Sequence, residues 1–141
     1  MHELGPGESH ADSYWVLEGD SPAAFIGDTI FHGVHSYMSD GHTHEWLDNL
    51  DTLEQSLPAN ITLYPGHGGA GDISLLQTQR DYIQLYRDTV ASLAAGGSTL
   101  DDSAKMSLEV TMMDHLPSEK LSFLIALGAD PVAAELAAGN Q

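Results

Sequence analysis

A short apolar run, Ala23-Ala24-Phe25-Ile26, closes on Gly27-Asp28. The run has no turn residue inside it and follows Ser21-Pro22, so it reads as a strand buried on both faces. Asp28 stands where that strand is expected to stop. A carboxylate there is costly unless a cation or several hydrogen-bond donors meet it. Gly27 has no Cβ and lets a ligand approach the backbone closely. Ends of buried strands are common places for catalytic and binding groups. Gly-Asp is also ordinary turn chemistry, and on this fragment alone a turn cap is the better reading.

The rest of the chain arranges itself around this strand. Met1 to Leu4 reads as the stub of a strand, and Gly5-Pro6-Gly7-Glu8-Ser9 as a loop with His10 at its far edge. Ser13 to Glu18 is rich in strand formers. The turn Gly19-Asp20-Ser21-Pro22 then makes an antiparallel hairpin with Ala23 to Asp28. That pairing places His10 and Asp28 at the same end of the sheet. Thr29 to Gly41 reads as a long loop, the kind that is functional or needs cover. Trp46, Leu50, Leu53 and Leu57 recur at helical spacing from a start near Thr43, and Pro58 ends that helix. Ile61 to Tyr64 is another short strand, with Pro65-Gly66-His67-Gly68-Gly69 as the loop at its end. A longer helix follows, capped by Asp72, striped by Leu76, Ile83, Tyr86, Val90 and Leu93, and stopped at Gly96-Gly97. Shorter helices are expected over 101–114, 118–127 and 131–138.

Charge narrows the partners. Among 141 residues there are 21 acidic and 4 basic side chains, a net charge of −17, which argues against nucleic acid or an anionic membrane surface. No apolar run is long enough to span a bilayer, and the start carries no signal-peptide pattern. The absence of cysteine removes disulfides and thiolate ligands and fits a reducing cytoplasm. Bound cations, high ambient salt or simple tolerance could each account for so acidic a chain.

Three polar side chains now sit beside three strands: His10, Asp28 and His67. Imidazole and carboxylate suit zinc, manganese or iron, although any one histidine alone is more often structural or solvated. In order, Gly7-Glu8-Ser9-His10-Ala11-Asp12-Ser13, Phe25-Ile26-Gly27-Asp28-Thr29-Ile30-Phe31 and Leu63-Tyr64-Pro65-Gly66-His67-Gly68 resemble the second half of a metallo-β-lactamase-fold hydrolase, on its glyoxalase II and lactonase side. The resemblance covers about residues 1 to 95 and, more loosely, a helical appendage of the same domain over 96–141. It implies an α/β fold, half of an αββα sandwich of mainly antiparallel short strands flanked by helices. It implies two divalent metals, with zinc first and iron or manganese as alternatives. His10 would bind the first metal, Asp28 would bridge both, and His67 would bind the second. The reaction implied is hydrolysis of an ester, thioester, lactone or amide in a small-molecule substrate by a metal-bridging hydroxide.

The chain departs from the family at one place. Members carry a His-x-His-x-Asp-His motif in their first half, and it is absent here. His42-Thr43-His44-Glu45-Trp46-Leu47 begins like it but lacks the Asp-His pair and opens a helix, where residues two apart do not face one another. His42 and His44 read as surface residues, with a supporting role left open for His42. His32 and His35 could line the substrate mouth, with solvated loop histidines the better reading, and Tyr37 and Met38 are similar cases. His2 and His115 have no assigned role. The chain therefore reads as half a catalytic domain, expected to expose apolar surface and to self-associate or pair with its missing half. The rival readings are a non-catalytic remnant kept for binding or structure, and a metal-independent domain in which the three motifs coincide by chance.

Overall fold

The computed structural model describes residues 1–139. Residues 140 and 141, the end of the expected helical tail, lie outside the described residues. Four strands and five helices follow one another as β1 (His2–Gly5), β2 (Asp12–Leu17), β3 (Ala23–Phe31), α1 (Thr43–Ser56), β4 (Thr62–His67), α2 (Ser74–Ala94), α3 (Asp102–His115), α4 (Phe123–Leu127) and α5 (Ala129–Gly139). The strands form one mixed sheet in the order β1-β2-β3-β4, giving an α/β fold. The β2–β3 hairpin is antiparallel, with Trp15 opposite Phe25 and Leu17 opposite Ala23. β4 returns through α1 and lies parallel to β3, as a helical crossover requires.

The central strand departs from the expectation in two ways. It is not buried on both faces: Ala24 and Ile26 are buried, whereas Phe25 between them is half exposed. Nor does it stop at Asp28. Gly27 adopts φ +62°, a conformation open to glycine. The backbone bends there, the register with β4 shifts, and the strand runs on to Phe31 opposite His67. His67 likewise closes β4 and does not sit in a loop beyond it. The Pro-Gly pair before it marks turns in most sequences, but here it lies within an irregular ladder.

One face of the sheet is covered by helices. Tyr14, Ala24, Ile26 and Leu63 join Trp46, Leu50 and Leu53 of α1 and Leu76, Ile83, Tyr86 and Val90 of α2 in a single core. The Trp46 indole also donates from Nε1 to the carbonyl of Thr29 at 2.9 Å, tying α1 to the end of β3. The later helices add Leu108, Met112, Ile125 and Val132 to the same cluster, so α3 to α5 pack into the body of the molecule. α3 is capped by Asp101, whose side chain accepts from the amide of Ala104 at 2.8 Å. The helix expected over 118–127 is shorter than the pattern implies, with α4 confined to Phe123–Leu127. α2 starts at Ser74, and Asp72 accepts from its backbone amide at 2.9 Å.

The opposite face is bare. Trp15, Leu17, Phe25 and Tyr64 are 58%, 60%, 50% and 43% exposed. Phe25 and Tyr64 are register partners and stack at 5.0 Å. An aromatic side chain can bury roughly 200 Å², so these four leave on the order of 400 Å² of apolar surface in water. That is about half of one partner's share in a standard interface, and near the largest patch ordinary monomers show. Among the described residues no helix is long and apolar enough to cross a membrane.

Candidate functional site

The loop before β2 folds around Asp12. Its carboxylate accepts from the amides of Glu8 at 2.7 Å and Ser9 at 3.2 Å, and from the Ser9 hydroxyl at 2.6 Å. Asn49 of α1 donates to the carbonyl of Pro6 at 2.7 Å. Gly7 fits between these two groups, since a Cβ there would lie 2.6 Å from Asp12 Oδ2 and 2.7 Å from Asn49 Nδ2. The result is a fixed hairpin that carries His10 outward into solvent. A carboxylate three and four residues after two free amides is a local signal for this kind of turn.

Asp28 and His67 come together at the end of the parallel pair. His67 Nε2 lies 3.6 Å from Asp28 Oδ1, with both side chains 47% exposed. The Phe31 ring stacks on His67 at 5.1 Å and orients it. Asp28 also fills the space beside Gly66, where a Cβ would lie 1.9 Å from its Oδ1. Only glycine lets this carboxylate lie across β4. The loop after β4 is held by His32, whose amide donates to the His67 carbonyl at 2.9 Å and whose Nδ1 lies 2.6 Å from the Gly69 carbonyl.

His10 stands in a second group. Its Nδ1 is 2.9 Å from His42 Nε2 and its Nε2 is 3.9 Å from Asp40 Oδ2. Asp40 in turn accepts from the Tyr37 hydroxyl at 3.1 Å. Glu8 senses both groups. Burial pushes its carboxyl up from 4.5 to about 7, and the nearby charges of Asp28, Asp12 and Asp40 add to the rise. A carboxyl shifted that far at a rim shared with imidazoles marks a candidate functional position. Glu8 and Asp40 carried no signal in the sequence beyond their nearness to motif residues. The sequence reads His42 as a surface or loop residue with a supporting role left open, and the structure sets it half-buried against His10.

His35 is not a loop histidine lining a mouth. It is fully buried, with Nδ1 2.9 Å from the Tyr82 hydroxyl and Nε2 2.9 Å from the Ser118 carbonyl. Burial lowers its pKa and favours the neutral ring. Met38 is likewise core. His2 stacks on Tyr14, and His115 lies against Tyr82.

Among the described residues no three histidine, aspartate or glutamate side chains converge closely enough to hold a metal ion. The donor chemistry of Asp28 and His67 fits a divalent cation, and the missing side chain of Gly66 gives the carboxylate its place. Neither protein-family models nor curated proteins match the chain.

Proposed function

We propose that this chain is one part of a metal-dependent hydrolase acting on an ester, thioester, lactone or amide carbonyl, with His10, Asp28 and His67 as its contribution to a dinuclear site. The single observation that carries the reading is the Asp28–His67 pair at 3.6 Å, where β3 runs beside β4, with Glu8 of the His10 loop close enough to feel the Asp28 charge. A pair of divalent ions, zinc first and iron or manganese as alternatives, would supply a hydroxide at neutral pH and polarise the carbonyl. Asp28 would bridge and orient, while His67, backed by Phe31, and His10, on the Asp12 turn, would fix the geometry. The remaining ligands would come from a complementary polypeptide whose sheet covers Trp15, Leu17, Phe25 and Tyr64, completing the αββα sandwich of which this sheet is half. The bare face supports that reading.

A second reading, a non-catalytic remnant that binds through the same face, is favoured by the absence of a three-ligand cluster among the described residues. Cobalt titration followed by absorption spectroscopy separates the two. The hydrolase reading expects weak binding by the chain alone, lost on Asp28→Asn or His67→Ala. Uptake indifferent to both substitutions would leave the remnant. Tight binding with thioester turnover by the chain alone would show that no second piece is needed.

A further inference from the structure

Helix α1 starts without a cap of its own. His42 stands at the N-cap and its side chain makes no hydrogen bond to the first turn. The first amides are met by Glu135 of α5. Thr43 donates from its backbone to Glu135 Oε2 at 3.1 Å and from its hydroxyl to the same oxygen at 2.7 Å, and the His44 amide donates to Oε1 at 2.8 Å. Arg87 of α2 donates to Glu135 Oε1 at 2.8 Å and also reaches the Thr43 hydroxyl. The Arg87 and Glu135 side chains are only 16% and 14% exposed. A carboxylate at a helix start with a guanidinium behind it forms the strong, charge-assisted kind of hydrogen bond. On the other side of His42, Gly41 adopts φ +70° against α5, where a Cβ would lie 3.4 Å from the Pro131 carbonyl oxygen. One helix therefore grips the chain both before and after His42.

We propose that Glu135, held by Arg87, is a positioning residue for the candidate site. Through Thr43 and His44 it sets where α1 begins and how the His42 backbone is directed. His42 Nε2, 2.9 Å from His10 Nδ1, passes that constraint to the His10 ring. The C-terminal helices are then part of the site's framework, and the tail is not a mere appendage. Its catalytic consequence rests on the hydrolase reading, whereas the geometric claim does not.

Long-range proton–nitrogen spectra of the histidine rings test it on the full, metal-free chain. In Glu135→Ala the ring nitrogens of His10 and His42 move from one fixed tautomer toward an averaged state. Amide exchange at Thr43 and His44 rises on the order of tenfold, the size expected for losing a charge-assisted bond. The rings of His2 and His115 stay as they were, which a general loss of stability would not ensure. A folded Glu135→Ala variant with wild-type His10 and His42 ring signals overturns the proposal. If that variant does not fold, Glu135→Gln is read instead. It offers one acceptor oxygen where glutamate has two, so the same signals move by a smaller amount, and a wild-type spectrum overturns the proposal equally. Because these spectra are metal-free, a failed metal titration would remove the hydrolase reading and leave this result standing.

Discussion

The two faces of the sheet carry similar residues and meet different fates. Ala24, Ile26 and Leu63 point under α1 and α2 and are lost to solvent. Phe25 and Tyr64, one residue away along the same strands, stay half in water with Trp15 and Leu17 beside them. Alternation along a strand sets which residue goes where. Apolar character alone does not, because Trp15, Leu17, Phe25 and Tyr64 are as large and apolar as the residues under the helices. The covered face belongs to this chain's own core, whereas the bare one leaves Trp15, Leu17, Phe25 and Tyr64 in water.

The contrast can be broken by neighbouring substitutions. Ile26→Ala should cost about 3 kcal/mol in urea unfolding, since it empties a fully buried position where the core cannot collapse freely. A cost below about 1 kcal/mol would mean that the helix-covered face is not the true core. At the rim between the faces, Gly66→Ala forces a methyl against Asp28 Oδ1. It should cost about 2 kcal/mol and part the Asp28–His67 pair, seen as a changed His67 ring signal. Unchanged stability together with an unchanged ring signal would show that Asp28 does not lie across β4.

Glu8→Gln sharpens the electrostatic side. Wild-type Glu8 keeps a proton up to about pH 7 that the unfolded chain releases near 4.5. The folded state therefore binds more protons in that window, and the Glu8 contribution to stability falls as pH rises from 4.5 to 7, then levels off. Glutamine should flatten that slope and raise stability at pH 8 by about 1 kcal/mol, after allowance for partial exposure. A wild-type slope in the variant would place the effect elsewhere. Phe25→Ser should have the smallest effect on folding, about 0.5 kcal/mol through its cross-strand partners. It should lower the binding of a hydrophobic dye clearly. Unchanged dye binding would mean that the bare face is not the apolar surface on offer.

Much of this architecture is legible in the amino-acid order. The stripe of Trp46, Leu50, Leu53 and Leu57 is buried throughout, because helical spacing repeats over several turns and leaves little choice. The β2–β3 hairpin follows from a four-residue turn between two strand-forming runs. The course of β3 past Gly27 was not legible. A Gly-Asp pair is ordinary turn chemistry, and the parallel partner β4, brought in by α1, keeps this strand extended to Phe31. His35 went unrecognised for a related reason. Its partners Tyr82 and Ser118 are distant in sequence, so nothing local distinguished it from a solvated loop residue. At the site, Asp28 and His67 stand out in the sequence because each follows a short apolar run, although only His67 closes its strand. The His42–His10 contact depends on Glu135 near the far end of the chain, which no local pattern reveals.

Whether Asp28 joins His10 and His67 in one dinuclear site is the point on which the hydrolase reading stands. Zinc added stepwise to the full chain, with the ring nitrogens of every histidine followed by NMR, tests it most directly. The account predicts that the His10 and His67 signals shift together, that Asp28→Asn weakens both shifts, and that His2 and His115 do not move. Shifts confined to the exposed His10–His42 pair, with His67 unmoved at saturating zinc, would contradict it.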